Sequence, residues 1–480
     1  MTRRRSSFLL PNVHVPSETE SADMASWGKH LLHVLLLVIF ICAFQDRFAF
    51  HGDVEVPAEL DGDHLAQFSP ITIGLCYLSR IITLLYLPQY LFQFCGLVFF
   101  NAFNSQVVCK YNLLEAPTIA FRIITRGVYP GLIRDTVQKN LAVLENSGIQ
   151  HYVLEVVTDE AIGLEERPNL VERVVPREYR TRNNSLYKAR ALQYCLDEPH
   201  EPITHNSWVA HLDEETILTE DAVRGIVNFC CRGKHHFGTG LITYANDDVV
   251  NWFCTIGDAY RIADDLGQFR FQFKVLHKPV FSWKGSFIVA NQAVEKRIGF
   301  DRGMEGSITE DQYFALSAAR SGYSFDFVEG EVWEKSTFSI VDQIRQRIRW
   351  LQGGAWIRKT TTIPMDIKIL LQIKHIAYSV APLILPSLIF GLLGPVPTFV
   401  ILDMLNAFIF AVRFYGFLFG IVRSFPNDQP FKTLCVMLSP FVFIWDVILD
   451  AVVAVWGAAT AKEALKNVEQ DLTRRKSIAN

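Results

Sequence analysis

The apolar residues of this chain are gathered into long blocks at its two ends, around a central stretch of mixed composition, instead of recurring with the periodicity of an amphipathic core. Half of the 480 residues are hydrophobic and 36 are Phe. A single soluble domain is therefore a poor description, and the expectation is a membrane protein carrying a domain of about 200–300 residues between its spans. A net charge of −4 lacks the basic footprint of a nucleic-acid binder, and no compact zinc or phosphate-loop signature is present. Nine cysteines without a Cys-x-x-Cys pair, with Cys230 and Cys231 adjacent, read as free thiols, mostly buried.

The first block, Leu31 to Phe44, follows Arg3, Arg4 and Arg5 and has no small-residue cleavage site after it. It reads as a retained span that needs Trp27 and Gly28 to reach across the bilayer. A second block, Ile71 to Phe103, contains Arg80 and a kink expected at Pro88. The loop between them carries Asp46, Asp53, Glu55, Glu59, Asp61 and Asp63, whereas Lys110, Arg122 and Arg126 follow the second block. The positive-inside rule places that loop in the lumen and the central stretch in the cytosol. Three further blocks run from His375 to Gly394, Pro397 to Ile421 and Leu434 to Trp456. If all three crossed, the basic tail Arg474, Arg475 and Lys476 would be lumenal, so one is expected to be re-entrant or interfacial and the parity stays open. Asp446 and Asp450, one turn apart in the last block, are expected to pack inside the bundle or lie near the headgroups, with a functional role as the alternative. The chain divides into a membrane region over 1–110 with two spans, a cytosolic domain over 111–365, and a membrane region over 366–480 with two or three spans.

Within the domain, short β-rich runs alternate with helical patterns. Strands are expected at Thr118 to Ile124, Tyr152 to Val157, Arg173 to Val175, Trp208 to Leu212 and Thr239 to Tyr244. Helices are expected at Gly131 to Ser147, Leu186 to Leu196, Asp221 to Cys231 and Asp311 to Ser321. The alternation predicts an α/β domain with a mostly parallel sheet covered by helices, in which ligands gather beyond the carboxyl ends of the strands. Asp159 and Asp213-Glu214-Glu215 fall there, and Glu310-Asp311 follows Thr309 at a helix start. Carboxylates spaced i, i+2 at a strand end suit Mg²⁺ or Mn²⁺ on a nucleotide diphosphate, although acidic triplets are also common in surface turns. In Gln346 to Trp350, Arg349 can meet a diphosphate and Trp350 the face of a sugar ring. Taken alone, that segment reads better as an amphipathic interfacial helix that snorkels its cations toward lipid phosphates.

The order of these elements, strand-end Asp159, Asp213-Glu214-Glu215, Thr309-Glu310-Asp311 and Gln346 to Trp350, followed by membrane helices, resembles the family 2 glycosyltransferases, the group of the cellulose, chitin and hyaluronan synthases. The family writes these motifs D, DxD, TED and QxxRW, and the resemblance covers about residues 112–360. Its second Asp is Glu215 here, which puts the metal geometry in question. The phrases VVTDE, LYKARALQYCL, HLDEET, GLITYAN, FSWKGS and QRIRWLQGG extend the likeness over nearly the whole chain, to the Egghead-type β-1,4-mannosyltransferases of invertebrate glycosphingolipid synthesis.

This resemblance implies a GT-A, Rossmann-like domain that transfers mannose with inversion from GDP-mannose to the 4-hydroxyl of glucosylceramide, at the lipid bilayer of the endoplasmic reticulum or Golgi. It implies Asp159 against the guanosine, with Lys188 and Arg190 near nucleotide or phosphate unless they form an ordinary solvated helix face. Asp213 and Glu215 would hold the metal, and Asp311, beside Glu310, would act as general base. Trp283, Lys284 and Ser286 would shape the acceptor or sugar pocket, with Gln346, Arg349 and Trp350 closing the site against the membrane. A processive polysaccharide synthase shares every motif, and a non-enzymatic scaffold or transporter with a degenerate domain is the alternative from another class.

Overall fold

The computed structural model describes residues 18–50, 69–103, 106–393, 398–426 and 431–478. The N-terminal arginines and the loop acids Asp53 to Asp63 lie outside them, so the charge argument for sidedness is untouched there.

One seven-stranded sheet organises the middle of the chain: β1 (Ile119–Thr125), β2 (Tyr152–Thr158), β3 (Leu170–Val174), β4 (Trp208–Leu212), β5 (Phe237–Tyr244), β6 (Ile288–Asn291) and β7 (Phe325–Glu334), in the order β3-β2-β1-β4-β6-β5-β7. β6 pairs antiparallel with both neighbours, and the other pairings are parallel. Every residue of β1, β2, β4 and β5 is buried, as a parallel sheet covered on both faces requires. The α/β, GT-A expectation therefore holds. β6 and β7 were not foreseen, because β6 is only four residues long and β7 carries Glu329, Gly330 and Glu331 at its centre.

The helices Pro130–Ser147, Tyr187–Asp197, Glu220–Arg232 and Glu310–Arg320 cover the sheet where the periodicity put them. Glu220–Arg232 shows why such ends are legible: the Thr219 side chain accepts from Ala222 N at its start, and left-handed Gly233 closes it. Arg122, counted above among the charges flanking the membrane, lies instead on β1 in the sheet interior. Its Nε donates to Glu155 Oε2 at 2.5 Å, and Arg173 reaches the other carboxylate oxygen at 2.6 Å.

Among the described residues, four helices are long and apolar enough to cross a membrane: Met24–Ala49, Pro70–Phe99, Val400–Ser424 and Lys432–Glu463. The block after the domain breaks into Met365–Ser379 and Ala381–Ile389 at 65°, so it is a bent pair and not a straight span. Pro70–Phe99 tightens to a 3₁₀ turn at Leu84–Tyr86, just before Pro88. Arg80 inside it is neutralised by Asp403 of Val400–Ser424 at 2.6 Å, as an intramembrane charge must be.

Two further helices join domain to membrane. Trp252–Asp264, continued by Asp265–Phe269, lies against Pro70–Phe99, with Gly96 and Gly267 so close that a Cβ on Gly96 would stand 2.0 Å from the Gly267 carbonyl oxygen. Ile340–Lys359, which carries Gln346 to Trp350, starts at Ser339, whose side chain accepts from Asp342 N. It is fastened to the last span by a buried ring of charge. Arg347 Nη1 meets Asp446 at 2.8 Å and Asp450 at 3.3 Å, and Arg413 Nη2 meets the same two carboxylates at 2.5 and 2.6 Å. Gln352 Nε2 adds bonds to Gly457 O and Thr460 Oγ1, and Leu351 packs with Leu449 and Val453. Asp446 and Asp450 thus pack inside the bundle.

Candidate active site

The site forms where β2, β4 and β7 end and β6 begins. Because β6 runs antiparallel, with Ile288 opposite His211, the loop Phe281–Ser286 that feeds it is delivered beside the carboxyl end of β4. Asp213 N donates to Thr216 Oγ1 at 3.1 Å and Ser286 Oγ at 3.2 Å, and Thr216 Oγ1 donates to Glu334 Oε1 at 2.8 Å. Ser286 thus fixes the Asp213 backbone.

Lys188 ties the two halves of the site together. Its Nζ donates to Asp213 Oδ1 at 2.5 Å and to the Gly285 carbonyl at 2.8 Å. A Cβ at Gly285 would lie 3.2 Å from Asp311 Oδ2 and 3.7 Å from Lys188 Nζ, so the aspartate of Thr309-Glu310-Asp311 packs against the residue that Lys188 ties to Asp213. Lys188 is no solvated helix residue. Asp311 Oδ1 accepts from Gln312 N at 2.7 Å. The helix Ile340–Lys359 crosses Thr309 at Gly353, where a Cβ would be 2.3 Å from Thr309 Cγ2. That crossing places the Gln346 to Trp350 segment beside the second aspartate.

The electrostatics are those of crowded, enclosed carboxylates. Burial pushes the Glu310 carboxyl up to about 7, with Asp311 adding to the rise. Asp311 is raised chiefly by burial, and Lys188 and Arg349 oppose it. Burial, then Asp213 and Glu334, lifts Glu215 well above the carboxylate range, and Glu334 rises through burial and Asp213. Burial alone would lower the Lys188 ammonium, but Asp213 and Glu310 overturn that and hold it charged. Negative charge is in surplus.

Three sequence-derived assignments are redrawn. Arg190 is not directed at a phosphate: it donates to Asp159 Oδ1 at 2.9 Å, Pro176 O at 2.5 Å and Tyr179 O at 3.3 Å, which makes it the holder of Asp159. The Trp283 ring stands edge-on between Phe273 and Phe325 in the core, because the loop turns its indole inward while the Trp283 backbone N–H donates to Gln312 Oε1. Lys284 is buried, donating to Gly240 O at 2.5 Å and Asp265 Oδ2 at 2.8 Å, so neither Trp283 nor Lys284 opens onto a sugar pocket. Trp350 does remain 39 % exposed. One face of it lies 5.6 Å from the Arg261 guanidinium carbon, and that guanidinium also covers Tyr244 at 5.1 Å. Gln346 is half-buried one turn away. Arg261 and Glu334 are site residues that sequence reasoning missed; recognising Phe325–Glu334 as a strand would have put Glu334 at its carboxyl end.

With this geometry in place, comparison with known proteins is informative. The profile of Glycosyl transferase family group 2 matches residues 208–448. The chain is 42% identical over 454 residues, 94% of its length and 99% of the relative's, to the β-1,4-mannosyltransferase egh of Drosophila melanogaster. It is 42% identical over 401 residues to the β-1,4-mannosyltransferase bre-3 of Caenorhabditis elegans, covering 83% of this chain and 88% of that one. Among solved structures, the mannosyltransferase PcManGT of Pyrobaculum calidifontis, in complex with GDP-Man and Mn²⁺, aligns with a TM-score of 0.45 and 14% identity over 80% of this chain and 99% of that chain. On the identity and coverage of its curated relatives, the chain belongs to the β-1,4-mannosyltransferases of glycosyl transferase family group 2.

Proposed function

We propose that the chain transfers mannose from GDP-mannose to the 4-hydroxyl of glucosylceramide, with inversion, at the cytosolic face of an endoplasmic reticulum or Golgi membrane. The observation that carries this is the unit in which Lys188 bridges Asp213 to Gly285, directly against Asp311, under a helix fastened to the membrane. A donor side and a proton-accepting side meet at the bilayer surface, where the sugar of a ceramide-anchored acceptor lies.

In this proposal Asp159, held by Arg190, contacts the guanosine. Asp213 and Glu215 hold Mg²⁺ or Mn²⁺. Among the described residues no three His, Cys, Asp or Glu side chains converge as a closed metal site. A two-carboxylate set fits an ion that completes its shell with phosphate oxygens and water, and a cation would offset the charge surplus that raises Glu215. When bound, the ion stabilises the charge of the departing diphosphate. Arg349 adds a cation on that side, and Gln346 and Trp350 form the membrane-side wall.

Asp311 removes the proton from the acceptor 4-hydroxyl as that oxygen attacks the anomeric carbon opposite the diphosphate. The new C–O bond forms, the bond to phosphate breaks and the proton stays on the Asp311 carboxyl. One displacement turns an α-mannosyl donor into a β-mannoside with a single proton-transfer carboxylate. Burial raises its carboxyl above the ordinary aspartate range, which strengthens it as a proton acceptor.

Incubating the purified, membrane-reconstituted protein with GDP-mannose and glucosylceramide tests the reading: one mannose per lipid is expected. Long polymer, or no transfer to this lipid while another donor is consumed, sinks it. Sidedness has a separate check. The sequon Asn183-Asn184-Ser185 should stay without glycan in cells, its Asn183 amide donating to Asp301 O at 2.9 Å; a glycan there would reverse the orientation.

A further inference from the structure

Beneath the catalytic loop, toward the membrane, lies a group of polar side chains whose hydrogen bonds the protein leaves incomplete. Asp264, at the end of Trp252–Asp264, has its Oδ1 buried without a hydrogen-bond partner among the described residues. The cation acting on it most strongly is Lys374 of Met365–Ser379, yet Lys374 Nζ gives its described hydrogen bond to Gln268 Oε1 at 3.3 Å and none to the carboxylate. Two opposite charges deep in the protein stand apart. Around them, Tyr86 Oη and Gln93 Nε2 of the span Pro70–Phe99 are likewise buried and unpartnered. Tyr260 joins the group by donating to Gln93 Oε1 at 3.0 Å. Tyr378 lies near enough to Tyr86 to act on its hydroxyl electrostatically.

Native proteins satisfy nearly all buried polar groups, so several unfilled ones in one place call for a partner. Asp264, Lys374, Tyr260 and Tyr378 are only half-buried where Trp252–Asp264 and Met365–Ser379 approach the spans, and the surface they leave free is the recess meant here. The chemistry of the lining selects its occupant. A carboxylate disfavours a phosphate, and an ammonium disfavours a metal ion. A carboxylate acceptor, an ammonium donor, phenols and an amide together match hydroxyl groups, which donate and accept at once. The position fits as well: Gln268 Nε2 donates to Ser282 Oγ at 3.4 Å, and Ser282 begins the short stretch that ends at Gly285 against Asp311.

We infer that this recess seats the glycosyl headgroup of a membrane-lipid acceptor, with Asp264 accepting from its hydroxyls, Lys374 donating to them, and Tyr86, Gln93 and Tyr378 closing the membrane side. The inference rests on the proposed function only in taking the acceptor to be a lipid-linked sugar; it does not depend on which sugar.

The test uses the full chain in lipid nanodiscs, with the KM of GDP-mannose and of glucosylceramide measured separately. Asp264→Asn is expected to raise the acceptor KM about tenfold or more, and Tyr378→Phe about threefold, with the GDP-mannose KM within about twofold of wild type in both. Acceptor KM values unchanged in both variants would show that the recess holds ordered water only, and would overturn the inference. Should Asp264→Asn fail to fold, Tyr378→Phe and Gln93→Leu carry the same readout. If the wild type instead mannosylates a different lipid-linked sugar, the glucosylceramide reading falls while the recess stands, provided that these variants raise the KM for that lipid. If they leave that KM unchanged, the recess falls too.

Discussion

Two clusters of acidic residues in this protein use the same chemistry to opposite ends. At the membrane, Asp446 and Asp450 are matched by Arg347 and Arg413 in a closed ring, every member within 3.3 Å of an opposite charge and largely buried. At the sheet edge, Lys188 serves Asp213, Glu310 and Asp311, Arg349 opposes the last two and Arg261 opposes Glu334, while Glu215 has no cation among its main influences; four of these five carboxyls are pushed up in pKa. A satisfied network holds elements in place; an unsatisfied one keeps the capacity to take a proton or a cation. The first cluster seats the helix that forms the wall of the second.

The sharpest way to break this contrast is to remove the proposed base. Asp311→Asn should lower kcat by about 10³-fold with the Kd for GDP-mannose kept, since the amide preserves shape and removes only the proton acceptor. Calorimetric donor titration beside turnover separates these effects, and full activity would take Asp311 out of the base role. Next in size is the ring. Asp450→Asn leaves a buried guanidinium short of charge and should cost about 3–5 kcal/mol in a denaturation midpoint series. Turnover should fall with it, because Ile340–Lys359 loses its seat. Asp450→Asn with unchanged stability would mean that the ring does not anchor that helix.

The pH response should run in opposite directions for activity and stability. The base must be deprotonated, and Asp311 is raised above the ordinary aspartate range by burial, so kcat/KM should fall up to about tenfold per unit as pH drops through its raised pKa. A carboxyl whose folded-state pKa is raised stabilises the fold fully below its ordinary value, and that stabilisation is lost as pH rises through about 7. A pH–rate profile set against a pH–melting profile checks both signs. A smaller effect is expected for Gly285→Ala, whose Cβ would press on Asp311 Oδ2 at 3.2 Å: about tenfold in kcat, with the fold intact. The smallest is Trp283→Phe, a core exchange expected to cost about 1–2 kcal/mol and to leave the acceptor KM unchanged; a raised acceptor KM would restore Trp283 to the sugar pocket.

Much of the fold was legible because its signals are local. Trp208–Leu212 is a continuous apolar run, and a fully buried parallel strand cannot look otherwise. Thr219 and Gly233 mark helix ends through their own side chain and backbone. The acidic motifs could be found by their order along the chain, and their places after β2 and β4 followed from the strands. Less legible was what each neighbouring polar residue does. Lys188 and Arg190 lie two apart on one helix, yet the first ties Asp213 to the Gly285 carbonyl and the second braces Asp159 against Pro176 and Tyr179.

Composition marked this chain as a membrane protein around an α/β domain, and the order of its motifs marked a glycosyltransferase through their resemblance to family 2, because apolar blocks and strand-end carboxylates are properties of short stretches. Tertiary structure decided the rest. The antiparallel course of β6 brings Gly285 to Asp213 and turns Trp283 and Lys284 into the core, and the pairing of Arg347 with Asp446, 99 residues apart, stands the catalytic wall on the last span. Such contacts depend on chain topology and on burying charge only where a partner waits, and neither is written in the neighbourhood of any one residue.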